Sequence, residues 1–503
     1  MNPAVGRRLP RLSAALACAG FLAAANRSTA DGLTAEDLAT VYAQASGSAQ
    51  QIAPGVVIAI VSRDGLALLV RQAGGAQPAP AAQGAIAVSK AGTAVFLSSA
   101  GEALTSRTAG FILQQHFPPG IENTPPGPLV GVGFSSMAFS DVNCLRNPDG
   151  SRIPGTRLYG SPGGVPLYKD GILVAGIGVT GAGPEIEDGR ITGPDINESV
   201  ALAGQVGYEP REEILASNIF VGGIRLPYVS SAPGSSPPSG TPDASGLVAP
   251  PPVSWPTAVM GGVLGEVHSP IIADPARGTI EGQPRLSAGE VREIISNAAA
   301  RTLVTRAGIR LPEGQAAEVF ISVVSNPNTP GQAPVVLGTF RTPDATVFSW
   351  DVSVQKARTA LFFSSDGRAF STRTVGFLAQ SAYPPGIDGE PAGPFNGLQE
   401  RFSGPIISGS GAVNGNLPDG ITIFPGGFPL YRNGVLIGAI GVSGDGVDQD
   451  DLISSSGTAG FQPSPAIRAD NFTYLGARLP YANFPRAPML NPPVTPVPTG
   501  SGN

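Results

Sequence analysis

Gly163-Gly164-Val165-Pro166-Leu167-Tyr168-Lys169-Asp170-Gly171 returns later in the chain as Gly426-Gly427-Phe428-Pro429-Leu430-Tyr431-Arg432-Asn433-Gly434. Each stretch runs into an apolar segment, Ile172 to Val179 or Val435 to Val442, so the Asp-Gly and Asn-Gly pairs read as two-residue hairpin turns between strands. Outward from this pair the correspondence continues. Val88-Ser89-Lys90-Ala91-Gly92-Thr93-Ala94 matches Val354-Gln355-Lys356-Ala357-Arg358-Thr359-Ala360. Arg107-Thr108-Ala109-Gly110-Phe111 matches Arg373-Thr374-Val375-Gly376-Phe377, and Pro118-Pro119-Gly120-Ile121 matches Pro384-Pro385-Gly386-Ile387. The chain is a tandem duplication of one domain.

The 503 residues exceed what one hydrophobic core usually serves, which agrees with two domains. Each copy opens on a helix start: Thr34 with Asp37 reads as a partial capping box, and Ser287 with Glu290 as a full one. A strand follows, Val56 to Ser62 or Val319 to Ser325, with a return strand at Leu66 to Val70 or Val335 to Phe340. The Lys-Ala-x-Thr-Ala segments predict helices over Ala85 to Leu97 and Val352 to Phe363, lined with small residues and so packed close to the sheet. A second short helix ends at Pro-Pro-Gly in each copy. Carboxylates at Asp195 to Glu198 and Asp448 to Asp451 open the last helix, and each copy closes on Arg-Leu-Pro-Tyr, Arg225 to Tyr228 or Arg478 to Tyr481. The resulting division is a signal segment over 1–30, domain 1 over 31–230, a Pro-rich linker over 231–284, domain 2 over 285–484 and a Pro-rich tail over 485–503. Within the linker, Val253 to Glu281 is more apolar and is expected to pack.

Arg7, Arg8 and Arg11, then the apolar run Leu12 to Ala25, then small residues, give the order of a secretory signal peptide. That run is too short for a membrane anchor, so an exported, periplasmic or extracellular protein without a transmembrane segment is expected. Lipoprotein anchoring through Cys18 is the weaker alternative; once Cys18 leaves, Cys144 stands alone and no internal disulfide is possible. A net charge of −6 gives no electrostatic reason to expect nucleic acid.

The motifs together resemble the GlcG/HbpS family: the strand Val57 to Ser62 with Arg63-Asp64-Gly65, the Lys-Ala-x-Thr-Ala helix, the Gly-Gly-x-Pro hairpin and the acidic start of the final helix. The resemblance covers most of both copies. It implies an α+β fold, two tandem domains each with an antiparallel sheet of about five strands flanked by helices. It also implies haem binding or a haem- and redox-responsive role outside the cytoplasm, through a pocket between the sheet and the Lys-Ala-x-Thr-Ala helix. Long Gly/Pro-rich insertions depart from the family pattern: Pro118 to Pro162, Pro184 to Pro194 and Pro384 to Pro425. They either cover a pocket, block family oligomer contacts or meet a protein partner.

Candidate site residues follow from what is repeated. Only three lysines stand against 28 arginines, and Lys90 and Lys356 occupy one position in the two copies. They either offer ammonium groups to the carboxylate of haem or a similar small anionic ligand, with Thr93 and Thr359 adding hydroxyls, or they tether the helix through loop carbonyls. His116 is the first candidate for the iron, although copy two has Ala382 there. Tyr168 and Tyr431 are the repeated alternative, against a plain packing role in the sheet. Asp445, Asp448, Asp450 and Asp451 fit helix capping better than calcium. With His116 and His268 as the only imidazoles and no nucleophile motif, no catalytic residue is assigned, and the expected protein is a non-catalytic binder. The alternative is a structural or protein-interaction module without cofactor.

Overall fold

The computed structural model describes residues 32–74, 79–132, 140–187, 189, 193–234, 254–312, 314–398 and 420–490. The signal segment, most of the Pro-rich linker and most of the tail lie outside these residues.

Copy one runs α1 (Ala35–Ile52), β1 (Val57–Ser62), β2 (Ala67–Gln72), α2 (Ala81–Leu97), α3 (Ser106–Ile112), β3 (Gly164–Lys169), β4 (Ile172–Thr180) and α4 (Ile196–Gln205). The expected box of Ser287 with Glu290 forms, and Thr34 with Asp37, expected as a partial box, makes both reciprocal bonds as well. The four strands are antiparallel in the order β2-β1-β4-β3. One face of the sheet receives α1 and α4 over Ile58, Ile60 and Ile177; the other receives α2 over Val57, Ala59 and Val61. That is why β1 is apolar from Val57 to Val61: it is buried on both faces.

The small residues of α2 have the expected use. A methyl group on Gly178 would stand 2.1 Å from the Ala87 carbonyl oxygen, and one on Gly164 would stand 2.3 Å from that of Lys90. The helix therefore lies directly on the strand backbones. Gly441 against Ser353 and Gly427 against Lys356 repeat the contact in copy two.

A hairpin precedes copy two, β5 (Thr257–Met260) and β6 (Val263–Ser269), turning at Gly261-Gly262. Then come α5 (Ala288–Thr302), β7 (Phe320–Ser325), β8 (Val336–Arg341), α6 (Phe348–Phe362), α7 (Thr372–Leu378), β9 (Gly427–Arg432), β10 (Val435–Ser443) and α8 (Val447–Gly457). The hairpin joins the sheet through β6 and β8, giving the order β9-β10-β7-β8-β6-β5. The expected five strands are thus four in copy one and six in copy two. The reading of 231–284 as linker is corrected at 257–269, where the chain is sheet. His268 fixes the hairpin: its ring stacks on Trp255 at 4.2 Å, meets Trp350 and Phe320 edge-on, and its Nε2 lies 2.9 Å from Glu266. The duplication reaches fine detail, since both sheets shift register at the same place, between Ile60 and Val61 and between Val323 and Val324.

The copies share a seam. Val347, Phe348 and Val352 of copy two pack into the core of copy one, with Phe348 stacked on Phe96. Arg358, where copy one has Gly92, reaches Asp141 in a bidentate pair at 2.8 and 2.9 Å. Arg63 meets Asp344 at 2.6 Å. The two Pro-Pro-Gly loops exchange hydrogen bonds: the Asn123 amide donates to the Asp388 carboxylate and the Asp388 amide to the Asn123 side-chain oxygen. The described part of the Pro118 to Pro162 insertion therefore serves contact between the copies.

Candidate ligand site

The repeated lysines are buried completely. The Lys90 ammonium donates to the carbonyls of Pro162 and Val179 at 2.8 and 3.0 Å and pairs with Glu185 at 2.7 Å. The Lys356 ammonium donates to the Val442 carbonyl at 2.8 Å and to Asp450 at 2.7 Å. Burial pulls both ammonium groups down in pKa, and the partner carboxylates oppose it. The counter-charge arrives by different routes. Copy one sends Glu185 in from the Pro184 to Pro194 insertion and has Asn197 at the helix position where copy two has Asp450. The helix-tether reading thus describes both lysines, and their assignment to a ligand is corrected.

The other repeated groups are also internally satisfied. Thr93 donates to the Ser89 carbonyl and accepts from the Tyr159 amide; Thr359 accepts from the Thr422 amide. The Tyr168 hydroxyl donates to the Ser99 carbonyl and Tyr431 to that of Ser365, both at 2.7 Å, and burial raises both phenol pKa values. These residues fix α2 and α6 against the sheet; their polar atoms do not converge on one cavity. His116 lies apart, at the seam, with Nε2 3.5 Å from Asp388 and its side chain one-third exposed. Cys144 is a buried free thiol.

The acidic start of α8 differs from the capping reading. Gly446 is the N-cap, without a side-chain cap. Asp448 and Asp451 both pair with Arg373, Asp450 holds Lys356, and Asp445 accepts from the amides of Arg310 and Leu311 at 2.8 and 2.9 Å. Burial raises Asp445 to about 7 and Asp450 to about 6, against the pull of Arg310 and Lys356. Among the described residues no group of three or more His, Cys, Asp or Glu is placed to hold a metal ion.

Copy two does carry an open cleft, between the end of α8, β9 and the closing Arg478-Leu479-Pro480-Tyr481. Its volume of about 620 Å³ lies within the usual range for small-molecule sites. Phe377, Phe428, Tyr481 and Phe484 supply aromatic walls, and Arg468 and Arg478 supply cations. The Arg468 guanidinium stands 4.8 Å from the centre of the Tyr481 ring and pairs with Asp470 at 2.6 Å; Arg478 donates to the Asp470 carbonyl. The Tyr481 ring lies buried, edge-on to Phe428 at 5.3 Å, and its hydroxyl makes no hydrogen bond among the described residues. Arg-Leu-Pro-Tyr was legible as a closing motif, but nothing local marked it as a cleft wall.

The fold is a tandem α+β architecture, and copy two carries an aromatic, arginine-rimmed cleft. The family model for haem degrading protein HbpS-like matches residues 33–192 and 295–459, and the chain belongs to that family. Among curated proteins, the corrinoid adenosyltransferases PduO of Citrobacter freundii and Salmonella typhimurium are 28% and 26% identical over 156 residues, or 31% of this chain. The match spans 36% of those proteins, about a third of their length. Similar solved structures include a PduOC:heme complex (23% identity, TM-score 0.24, covering 36% of this chain and 98% of that one) and Klebsiella pneumoniae ORFY (23%, 0.24, 37% and 95%). HbpS is 20% identical, with a TM-score of 0.22 over 37% of this chain and 97% of that one.

Proposed function

We propose that the chain is an exported, non-catalytic binding protein for haem, held in the cleft of copy two. One observation carries this reading: aromatic walls, two guanidinium groups and an unengaged phenol meet in a single hollow of suitable size. That donor set suits a planar apolar ring bearing carboxylates. Phe377, Phe428 and Phe484 face the ring; Arg478, the more exposed cation, holds a carboxylate, while Arg468 stands beside it paired with Asp470, which also lines the cleft. When bound, haem supplies a ferric centre that accepts a phenolate ligand, and Tyr481 is the hydroxyl available to it. Burial opposes ionisation of Tyr481, while the guanidinium over its ring favours it. The description of the family as haem-degrading supports the choice of haem.

Neither histidine lines the cleft, and none of its wall residues forms a nucleophile-base pair. Export rests on the sequence over Arg7 to Ala30. None of the described helices is long and apolar enough to cross a membrane.

The test is a haemin titration of the mature chain followed in the Soret region. One tight equivalent is expected, weakened about tenfold or more by Arg478→Ala, with a changed spectrum in Tyr481→Phe. Absence of any Soret shift refutes the proposal. A cofactor-free interaction module then becomes the reading, and Ile121 and Ile387, exposed on the paired Pro-Pro-Gly loops, are where to seek its partner.

A further inference from the structure

Copy one keeps part of this wall and carries a different plug. Superposing the copies by their motifs places Tyr228 at Tyr481, Arg225 at Arg478, Phe111 at Phe377 and Val165 at Phe428. Leu215 stands at Arg468 and Ser231 at Phe484, so copy one lacks one cation and one aromatic of the cleft; on the last helix and at its end, Leu202 stands at Ser455 and Gln205 at Thr458.

The Gln205 amide donates to the Pro166 carbonyl at 2.6 Å and to the Tyr228 hydroxyl at 3.2 Å, and the side chain is buried. It therefore lies across the space beside the tyrosine and satisfies the very hydroxyl that is unengaged in copy two. Thr458 is two heavy atoms shorter, and its hydroxyl turns back to the Ser455 carbonyl at 2.7 Å. No bond from it reaches Tyr481 or Pro429 among the described residues. Leu202 adds apolar bulk where Ser455 leaves room, so both changes close copy one and open copy two.

We infer that the residue at Gln205 in copy one and Thr458 in copy two opens or closes the site: copy one, which also lacks the Arg468 cation, is a closed version of the ligand site, and the duplicated chain takes one ligand. This rests on the reading of the copy-two cleft as the haem site. The glutamine occupies the ligand's place by two hydrogen bonds, so a ligand entering copy one must break both and leave a buried amide and carbonyl unpaired. A buried polar group left without its partner is strongly disfavoured. Two such groups are expected to lower affinity for copy one by more than tenfold.

The experiment compares haemin binding to the full mature chain, to Thr458→Gln, and to Gln205→Thr alone and combined with Leu202→Ser, with far-UV circular dichroism and thermal midpoints recorded for each. Expected are one equivalent for the wild type, affinity lowered at least tenfold in Thr458→Gln with the fold intact, and a second, weaker equivalent after Gln205→Thr. If the double substitution in copy one unfolds, Thr458→Gln still decides the matter. A wild type that takes one equivalent and a Thr458→Gln variant that takes it equally well overturn the inference while leaving haem binding standing. Two equivalents in the wild type overturn it as well, because copy one is then open. No Soret shift in any protein removes the haem reading and this inference with it.

Discussion

Lys356→Met separates a structural lysine from a ligand-binding one. The ammonium is wholly buried, and its Asp450 partner has a side chain only 4% exposed. Methionine keeps most of the stem and removes the charge, so Asp450 loses its contacting cation while its other oxygen already lacks a hydrogen-bond partner. With the lysine present its pKa is about 6; without it the carboxyl must rise further, and at neutral pH it takes up a proton or stays charged in the core. Removing one member of a buried pair costs about 3–5 kcal/mol. For a unit of this size that is a fall of roughly 10 °C in thermal midpoint, at about 2–4 °C per kcal/mol. Asp450→Asn in the same background should recover at least about 2 kcal/mol, because it removes the orphaned charge. Asparagine is what copy one has at this point, as Asn197. Urea denaturation of wild type, both single variants and the double gives the coupling energy. If Lys356→Met unfolds within about 0.5 kcal/mol of wild type yet weakens haemin binding, the lysine is a ligand group and the tether account is wrong.

Three further outcomes follow. Asp445 is fully buried, with its pKa raised from 3.8 to about 7, so the folded state holds a proton that the unfolded state has lost; stability should fall as pH rises from about 4 to 7, by roughly 1.4 kcal/mol per pH unit at most, and Asp445→Asn should flatten that slope in urea titrations at several pH values. An unchanged slope would mean the carboxyl titrates normally. Arg358→Met breaks the bidentate seam pair with Asp141; since Asp141 is about one-third exposed, a loss of about 2 kcal/mol is expected, non-additive with Asp141→Ala, and additive losses would show that the pair is not coupled. His116→Ala should leave haemin affinity within about twofold, because the ring sits at the seam beside Asp388 and not in the cleft; a large loss of affinity relocates the site to the seam.

The duplication, the α+β class and the close helix-on-sheet packing were legible because the sequence repeats both the hairpins and the small residues that touch strand backbone. The hairpin at 257–269 was hidden by its Pro-rich setting, although Gly261-Gly262 between Thr257-Ala258-Val259-Met260 and Val263-Leu264 is a hairpin signal. The site was harder. Lys90, Lys356, Tyr168 and Tyr431 recur because each copy needs the same internal tethers, and repetition alone does not distinguish a buried hydrogen bond from a ligand contact. A side chain's partner, such as Glu185 from an insertion in one copy and Asp450 from a helix in the other, emerges only on folding. The cleft went unread for the complementary reason: its meaning lies in a difference, Gln205 against Thr458, between residues that carry no motif.

The central claim, that one planar carboxylate-bearing ligand sits in copy two beside Tyr481, is tested most directly by a crystal structure of the mature chain soaked with haemin. The account predicts a ring between Phe377, Phe428 and Tyr481 with a carboxylate toward Arg478, and no ring in copy one, where Gln205 stays bonded to Tyr228. A ring lodged at the seam on His116, or in both copies alike, contradicts it.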